Sequence, residues 1–283
     1  MNTRIIAIVI ATASAASGAY ADATLDGDLP GSVGVGQTDT PAKLAFSDAG
    51  VENLSDSALD LNTNNSLTDR SPDPLAPAGV ISEYRASDTM VYKSPDLSGF
   101  SFLGTTIPGE DIDGAQDGRT GIADHWSVGG MYQGGGLEAS LGYSSYDSDA
   151  VNLAKTTATT PAIRQNVAQA NASYTFADQF KLGGAFEYTD NYQFDAGGEY
   201  NAFAITGQAR FGNSTINALY SYSNYNSETV GNERSSWGWG LGGDHAFSKR
   251  TKVYAAYSSA KTDKSVGGEE TDSIFSLGMI HNF

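Results

Sequence analysis

Apolar and polar residues alternate one by one through the last segment of the sequence, residues 273–283. One face of this segment carries Phe275, Leu277, Met279, His281 and Phe283. A period of two predicts a β-strand whose two faces meet different environments. Two explanations fit this strand: an amphipathic edge strand of a soluble domain, or a wall strand of an outer-membrane barrel with one face in lipid.

The same alternation recurs along the chain and predicts twelve strands. They are expected near residues 31–38, 86–93, 99–107, 123–133, 137–147, 164–176, 179–189, 199–211, 214–225, 234–247, 250–260 and 271–283. An even number of strands places both ends of the wall on the same side of a membrane.

Two kinds of connection alternate between these strands. Short turns are expected at 94–98, 134–136, 177–179, 212–214 and 248–250. Long polar loops are expected at 108–122, 147–163, 190–198, 226–233 and 261–270. Short turns at one end and long loops at the other are typical of an outer-membrane barrel. A repeat of roughly 40 residues could also indicate a propeller, but four strands per blade would need more turn signals than the sequence has.

The N-terminal residues have the features of a secretory signal. A positive charge at Arg4 precedes an apolar stretch over 5–16, and residues 19–21 form a small-x-small cleavage site. We therefore expect a signal peptide at 1–21 and one exported domain at 22–283. The sequence has no cysteine, so disulfide bonds cannot support a fold in an oxidising compartment. The net charge of −17 argues against a nucleic-acid partner.

Four segments of the sequence resemble parts of the Gram-negative general diffusion porins, and they occur in the same order as in that family. Residues 85–100 contain the Tyr-x-Ser-Pro-x-x-x-Gly-Phe pattern that is common in one strand–turn–strand unit of that family. Residues 34–41 resemble the strand that leads into the porin constriction loop. Residues 247–257 resemble the penultimate hairpin, and 278–283 resemble the porin terminus.

The resemblance implies an all-β antiparallel transmembrane barrel that acts as a homotrimer and passes ions and small hydrophilic solutes by passive diffusion. It implies a location in the outer membrane, among lipopolysaccharide and outer-membrane lipid. It also implies that the final strand is the signal read by the barrel assembly machinery. Family members usually have sixteen strands, so the first four would be missing here. Closure would then require strand 31–38 to pair with 271–283, because an open edge cannot face lipid.

The resemblance places the constriction loop at 39–85, directly after the first predicted strand. The candidate acidic residues of the constriction are Asp48, Glu52, Asp56, Asp60, Asp69 and Asp73. The candidate basic residues are Arg70, Arg85 and Lys93. The family often has an inward arginine where this chain has Val91. We therefore expect a pore that prefers cations. The alternative is that these acids form a solvated loop surface.

Other functions are weakly supported by the sequence. His245 and His281 are expected on the lipid face near the periplasmic edge, and His125 has no Ser or Asp partner by spacing. We therefore expect no enzyme, no catalytic residue and no cofactor. Residues 111–117 contain three aspartates but lack the twelfth-position glutamate of a calcium-binding EF-hand loop, so no metal site is expected. The main alternative to a porin is a plugged or truncated structural or adhesive barrel without conductance.

Overall fold

A computed structural model describes residues 3–12, 32–39, 41–54, 57–61, 85–107, 125–147, 163–192, 195–228, 231 and 233–282. The strands are β1 Thr3–Thr12, β2 Ser32–Asp39, β3 Arg85–Lys93, β4 Phe100–Ile107, β5 His125–Gly134, β6 Leu137–Asp147, β7 Arg164–Phe176, β8 Phe180–Asp190, β9 Glu199–Phe211, β10 Ser214–Asn226, β11 Arg234–Ala246, β12 Thr251–Lys264 and β13 Gly268–His281. One helix, α1, spans Pro41–Asp48. No helix in these ranges is long and apolar enough to cross a membrane.

The strands form one sheet in which β2 to β13 follow each other in chain order. Every neighbouring pair from β2–β3 to β12–β13 is antiparallel. These strands correspond one to one to the twelve predicted strands, which confirms the antiparallel all-β class. The five predicted short turns also join the strands that they were expected to join.

The hairpin of β12 and β13 is longer than predicted. The polar segment 261–270 was expected to be a loop, but the antiparallel register continues from Thr251↔His281 to Lys264↔Gly268. Two cross-strand ion pairs explain the difference, since Lys261 Nζ lies 2.6 Å from Glu269 Oε1 and Lys264 Nζ lies 2.8 Å from Glu270 Oε2. Charges of opposite sign on facing strands favour pairing even where the sequence is polar.

The pairing partner of β13 on the side away from β12 differs from the prediction. The sequence led us to expect that 31–38 would pair with 271–283, but β13 pairs instead with β1, in parallel, from Thr3↔Thr271 to Thr12↔Ile280. Within the described part of the chain, β2 pairs along one edge only, with β3. β1, which is rich in isoleucine and valine, pairs with the backbone N–H and C=O groups along this edge of β13. The edge is therefore not left unpaired. Removal of residues 1–21 as a signal peptide stays a prediction.

Alternation gives the sheet two faces of opposite character. On β7, Gln169, Asn171 and Ser173 are buried on one face, whereas Ala172 and Tyr174 are exposed on the other. We call the face covered by residues 41–61 the inner face and the opposite one the outer face. The outer face exposes many large apolar side chains, among them Phe102, Leu141, Leu182, Phe186, Ile205, Leu241 and Phe275.

The β7–β8 turn offers a test of stability. Ala177 and Asp178 both have a positive φ, of 52° and 53°, a conformation that costs an alanine about 1–2 kcal/mol and an aspartate less. Replacing the pair by Asn-Gly, the preferred pair for this kind of hairpin turn, should raise the free energy of unfolding by about 1 kcal/mol or more. Urea unfolding of the refolded protein in detergent checks this, with Gly212→Ala, where φ is 59°, as a variant that should be destabilised.

Candidate pore constriction

Residues 41–61, which we call the inner segment, lie across the inner face of the sheet. Proline occupies the first position of α1, where its fixed φ fits and no hydrogen bond is lost. The helix ends with the amide of Ala49 donating to the carbonyl of Ala45 at 3.0 Å, and Gly50 follows with a φ of 60°. A left-handed glycine after the last turn is a common helix stop, and it directs the chain back along the wall.

Apolar side chains fix the inner segment to the wall. Phe46, Val51 and Leu61 are completely buried. The other buried apolar residues of the segment in this cluster are Ala49, Leu54, Ala58 and Leu59. The wall residues packed with them include Ala185, Ala202, Ala204, Leu219, Tyr254, Ala256, Ala260 and Ile274. Full burial of one large apolar side chain stabilises by about 2 kcal/mol, so packing is the main force that holds the segment in place.

Three hydrogen bonds tie the inner segment to strands that lie far apart in the sheet. Gln133 Nε2 on β5 donates to the carbonyl of Asp48 at 3.3 Å. Thr206 Oγ1 on β9 donates to the carbonyl of Val51 at 2.6 Å. The amide of Ala58 donates to Ser276 Oγ on β13 at 2.9 Å. The segment therefore spans the inner face from β5 to β13.

The later part of the inner segment is also held by its own side chains. Ser57 Oγ donates to the carbonyl of Leu54 at 2.7 Å and accepts from the amide of Leu59 at 3.0 Å. Glu52 Oε1 accepts from the amide of Leu61 at 2.8 Å, which closes the segment on itself. These bonds satisfy backbone groups that the wall strands do not reach.

Glycines in the wall make room for the inner segment. A Cβ at Gly129 would lie 3.1 Å from the carbonyl oxygen of Pro41, and one at Gly242 would lie 3.0 Å from Leu59 Cδ1. A Cβ at Gly240 would collide with Leu59 Cδ2. The close approach of the Pro41 backbone and of the Leu59 side chain explains why these strand positions lack side chains.

Two neighbouring glycines on β8 provide a matched test of this contact. A Cβ at Gly183 would lie 2.5 Å from Thr206 Oγ1 and 3.2 Å from the Cα of Val51, whereas one at Gly184, on the outer face, would lie 3.9 Å from its nearest neighbour, Ala204 O. We expect Gly183→Val to break the bond between Thr206 and Val51 and to expose the inner segment to protease. Gly184→Val should leave the rate of cleavage within residues 41–61 unchanged; equal rates in both variants would contradict the assignment.

Charged groups collect beside the end of α1. Lys93 Nζ lies 3.9 Å from Asp48 Oδ2, and Lys181 Nζ lies 3.3 Å from Glu138 Oε2. The Asp48 and Lys93 side chains are 40% and 49% exposed, so their mutual attraction is weak and both charges remain available to ions. The two ion pairs therefore place acidic and basic groups side by side on the inner face, next to the end of α1.

The structure brings together some of the predicted site residues and not others. Asp48, Glu52 and Asp60 lie in the inner segment, and Lys93 faces Asp48. Asp60 is buried, with 1% of its surface exposed. Arg85 begins β3, and only its backbone is described. Four predicted residues lie outside the described ranges: Asp56, Asp69, Arg70 and Asp73.

Sequence reasoning missed three charged residues of the inner face. Glu138 and Lys181 form the second ion pair. The alternation of inward and outward residues along β6 and β8 could have shown that both side chains point inward. Glu187 is completely buried, accepts from Gln169 Nε2 at 2.9 Å and accepts from Thr189 Oγ1 at 3.0 Å. The helix α1 was also missed, although Thr40-Pro41 followed by Ala and Leu is a recognisable start signal.

The predicted assembly face of β13 is on the outside of the sheet. Phe275, Leu277 and Met279 are 44%, 49% and 49% exposed there. The ring of His281 pairs through Nδ1 with Thr251 Oγ1 at 2.8 Å. Phe283 lies outside the described residues, and recognition of this strand by the assembly machinery stays a prediction.

A sequence profile of one family matches most of the chain. The profile describes Gram-negative porins and matches residues 11–265. This chain belongs to the Gram-negative porin family. The porin is therefore an outer-membrane β-barrel channel and not an enzyme. A search of curated protein sequences finds no match.

Solved porin structures share the fold at low sequence identity. The anion-selective porin from Comamonas acidovorans has a TM-score of 0.59 and 18% identity, over 89% of this chain and 74% of that one. OmpT of Vibrio cholerae has a TM-score of 0.59 and 14% identity, over 89% and 76%. OmpF of Salmonella typhi, in a complex with daunomycin, has a TM-score of 0.56 and 14% identity, over 88% and 74%. This likeness supports the porin wall architecture of β2–β13.

Proposed function

We propose that this porin is a constricted, cation-preferring channel whose narrowest part is formed by the inner segment and the wall beside Lys93 and Lys181. Passive diffusion follows from the family; the constriction and its preference are our inference. The observation that carries it is the packing of residues 41–61 against the inner face. A segment fixed there narrows the water-filled path and sets the charge that a passing ion meets.

The charge of the inner segment supports the preference for cations. Residues 41–61 contain four acids and one lysine, 1 − 4 = −3. On the described wall nearby, Lys93 faces Asp48, which is already one of those four acids, so Lys93 changes the total from −3 to −2. Lys181 and Glu138 face each other and add no net charge. A structural relative is described as anion-selective. Because the wall fold is common to both proteins, we attribute the sign of the preference to the residues of the constriction.

Planar bilayers test the channel and its preference separately. Single-channel current shows whether the refolded porin conducts, and the reversal potential in a potassium chloride gradient shows which ion passes more readily. We expect a conducting pore with a reversal potential on the cation side. A conducting pore that prefers anions would overturn the cation assignment and leave the channel assignment intact.

The extensive packing of the inner segment favours one second candidate. Seven buried apolar residues hold this segment, a degree of burial that a plug would also need. In that case the protein would be a structural or adhesive barrel without conductance. Stable folding in the bilayer together with no measurable current would support the plugged barrel over the channel.

The assembly of the porin is a separate proposal. We infer a homotrimer, because porins of this family are typically trimeric, with lipopolysaccharide and outer-membrane lipid around it. Cross-linking in native membranes followed by electrophoresis without heating would show the trimer, and a monomer alone would contradict it. Closure of the twelve-strand wall after loss of residues 1–21 is part of the same proposal.

A further inference from the structure

Two imidazoles lie on the outer face at the short-turn end of β11–β13, next to a turn that carries two basic residues. Lys249 and Arg250 are exposed in the turn between β11 and β12. In the register, Thr251 faces His281 on β13, and Val253 faces His245 on β11. Strands in a sheet are about 4.8 Å apart, so the two histidines stand on either side of β12, about 10 Å from each other across the sheet.

A neighbouring hydroxyl orients each imidazole. Ser214 Oγ lies 2.8 Å from Nδ1 of His245, and Thr251 Oγ1 lies 2.8 Å from Nδ1 of His281. The same arrangement therefore occurs twice, on adjacent hairpins and at the same end of the sheet. Imidazole and hydroxyl groups beside lysine and arginine make a set of donors suited to phosphate oxygens.

The charge of this rim contrasts with that of the other short turns. The β3–β4 turn carries Asp96 and the β7–β8 turn carries Asp178, while the β5–β6 and β9–β10 turns are formed by glycines and asparagine. Of the five short turns at this end of the sheet, the β11–β12 turn is the one with two basic residues and no acid. In a chain of net charge −17, such a local excess of positive charge favours an anionic partner.

Apolar residues continue from this rim along the outer face. Phe247 is 67% exposed beside the turn, where an aromatic ring anchors a barrel at the lipid boundary. In the next row along the wall, Gly243 and Ala255 lie between Ile216 and Leu277. Two small residues between two large ones leave a shallow depression one row deep, which ends at Leu241 and Tyr257 in the following row.

We propose that this cluster binds the phosphate headgroup of an anionic phospholipid, the first part of whose acyl chain lies in the depression over Gly243 and Ala255. The outer face of a porin wall is in contact with lipid, and short turns lie at the periplasmic end. Lys249 and Arg250 provide the charge, and His245 and His281 provide oriented hydrogen-bonding groups. The occupant is therefore a lipid of the inner leaflet of the outer membrane.

Spin-labelled lipids in phosphatidylcholine vesicles test this site. The fraction of motionally restricted label is measured for phosphatidylglycerol and for phosphatidylcholine around the refolded porin. We expect the porin to prefer phosphatidylglycerol, and Lys249→Gln with Arg250→Gln to reduce that preference by up to about thirtyfold, the order expected for two basic residues at a lipid surface. His245→Ala should reduce it by a smaller factor. Lys261→Gln, on the outer face at the opposite end of β12, is the matched control and should retain it.

Three other outcomes would contradict the proposal. An equal preference in the porin and in the double variant, or an equal loss in Lys261→Gln, would show that the cluster has no specific role. Suppression of the preference by millimolar inorganic phosphate would indicate a site for a soluble anion instead of a lipid. Migration of the double variant as a folded barrel in electrophoresis without heating confirms that it is folded; if it does not fold, Arg250→Gln alone is measured.

Discussion

Replacing residues 42–60 with a glycine–serine linker of equal length is expected to raise single-channel conductance by about twofold or more, since pore width controls the current. The linker keeps the chain length but removes the apolar side chains that hold the inner segment, among them Phe46, Val51 and Leu59. Without them the segment cannot remain packed across the inner face. The measurement is the current of single channels in a planar bilayer at fixed voltage and salt.

The wall should survive this replacement. The strands from β2 to β13 are held by their own antiparallel hydrogen bonds, and none of these bonds involves residues 42–60. On the wall, Thr206 and Ser276 lose their partners in the inner segment, but water in the opened path can replace those hydrogen bonds. The variant should therefore still run as a folded barrel in electrophoresis without heating.

A second variant, again of unchanged length, separates the effect of the buried apolar side chains from that of the other residues of the segment. It keeps Phe46, Val51, Leu54, Leu59 and Leu61 and replaces the other residues of 42–60 by glycine and serine. This variant should retain most of the segment's attachment and should conduct close to the level of the unmodified porin. Equal conductance in all three proteins would show that the inner segment does not limit the current.

Much of the fold could be predicted because its main signal is local. Alternation with a period of two located β2–β13, and turn residues such as Gly135-Gly136 marked where strands reverse. The exception is the tip of the β12–β13 hairpin, where polar residues suggested a loop. There the cross-strand pairs of Lys261 with Glu269 and of Lys264 with Glu270 stabilise a strand that the local composition did not indicate.

The candidate site could be predicted only in part, because its contacts join distant parts of the chain. The bond between Ala58 and Ser276 connects residues 218 positions apart, and no local pattern specifies it. The sequence predicted that the acids lie in the loop. It could not show that Glu52 accepts a hydrogen bond from the amide of Leu61 or that Asp60 is buried. The role of Gly183 was equally hidden, since its function is to leave space for Val51.

Neutralising the exposed acid at the end of α1 is expected to produce the largest change in ion preference. Asp48→Asn removes a charge that is 40% exposed at the constriction, whereas Asp60→Asn changes a buried group. We expect Asp48→Asn to lower the potassium-to-chloride permeability ratio by about twofold, because a passing ion meets fixed charges of the constriction at close range. The measurement is the reversal potential in a potassium chloride gradient, and Asp60→Asn should shift it less.

Neutralisation of the basic partner and variation of the salt concentration provide the two controls. Lys93→Gln removes the basic partner of Asp48, which lies at 3.9 Å, and should raise the permeability ratio. Both shifts should shrink when mean salt rises from about 0.1 M to about 1 M, because the Debye length falls from about 10 Å to about 3 Å. If Asp48→Asn and Lys93→Gln move the reversal potential in the same direction, or if neither shift depends on salt, these side chains do not act as the fixed charges of the pore.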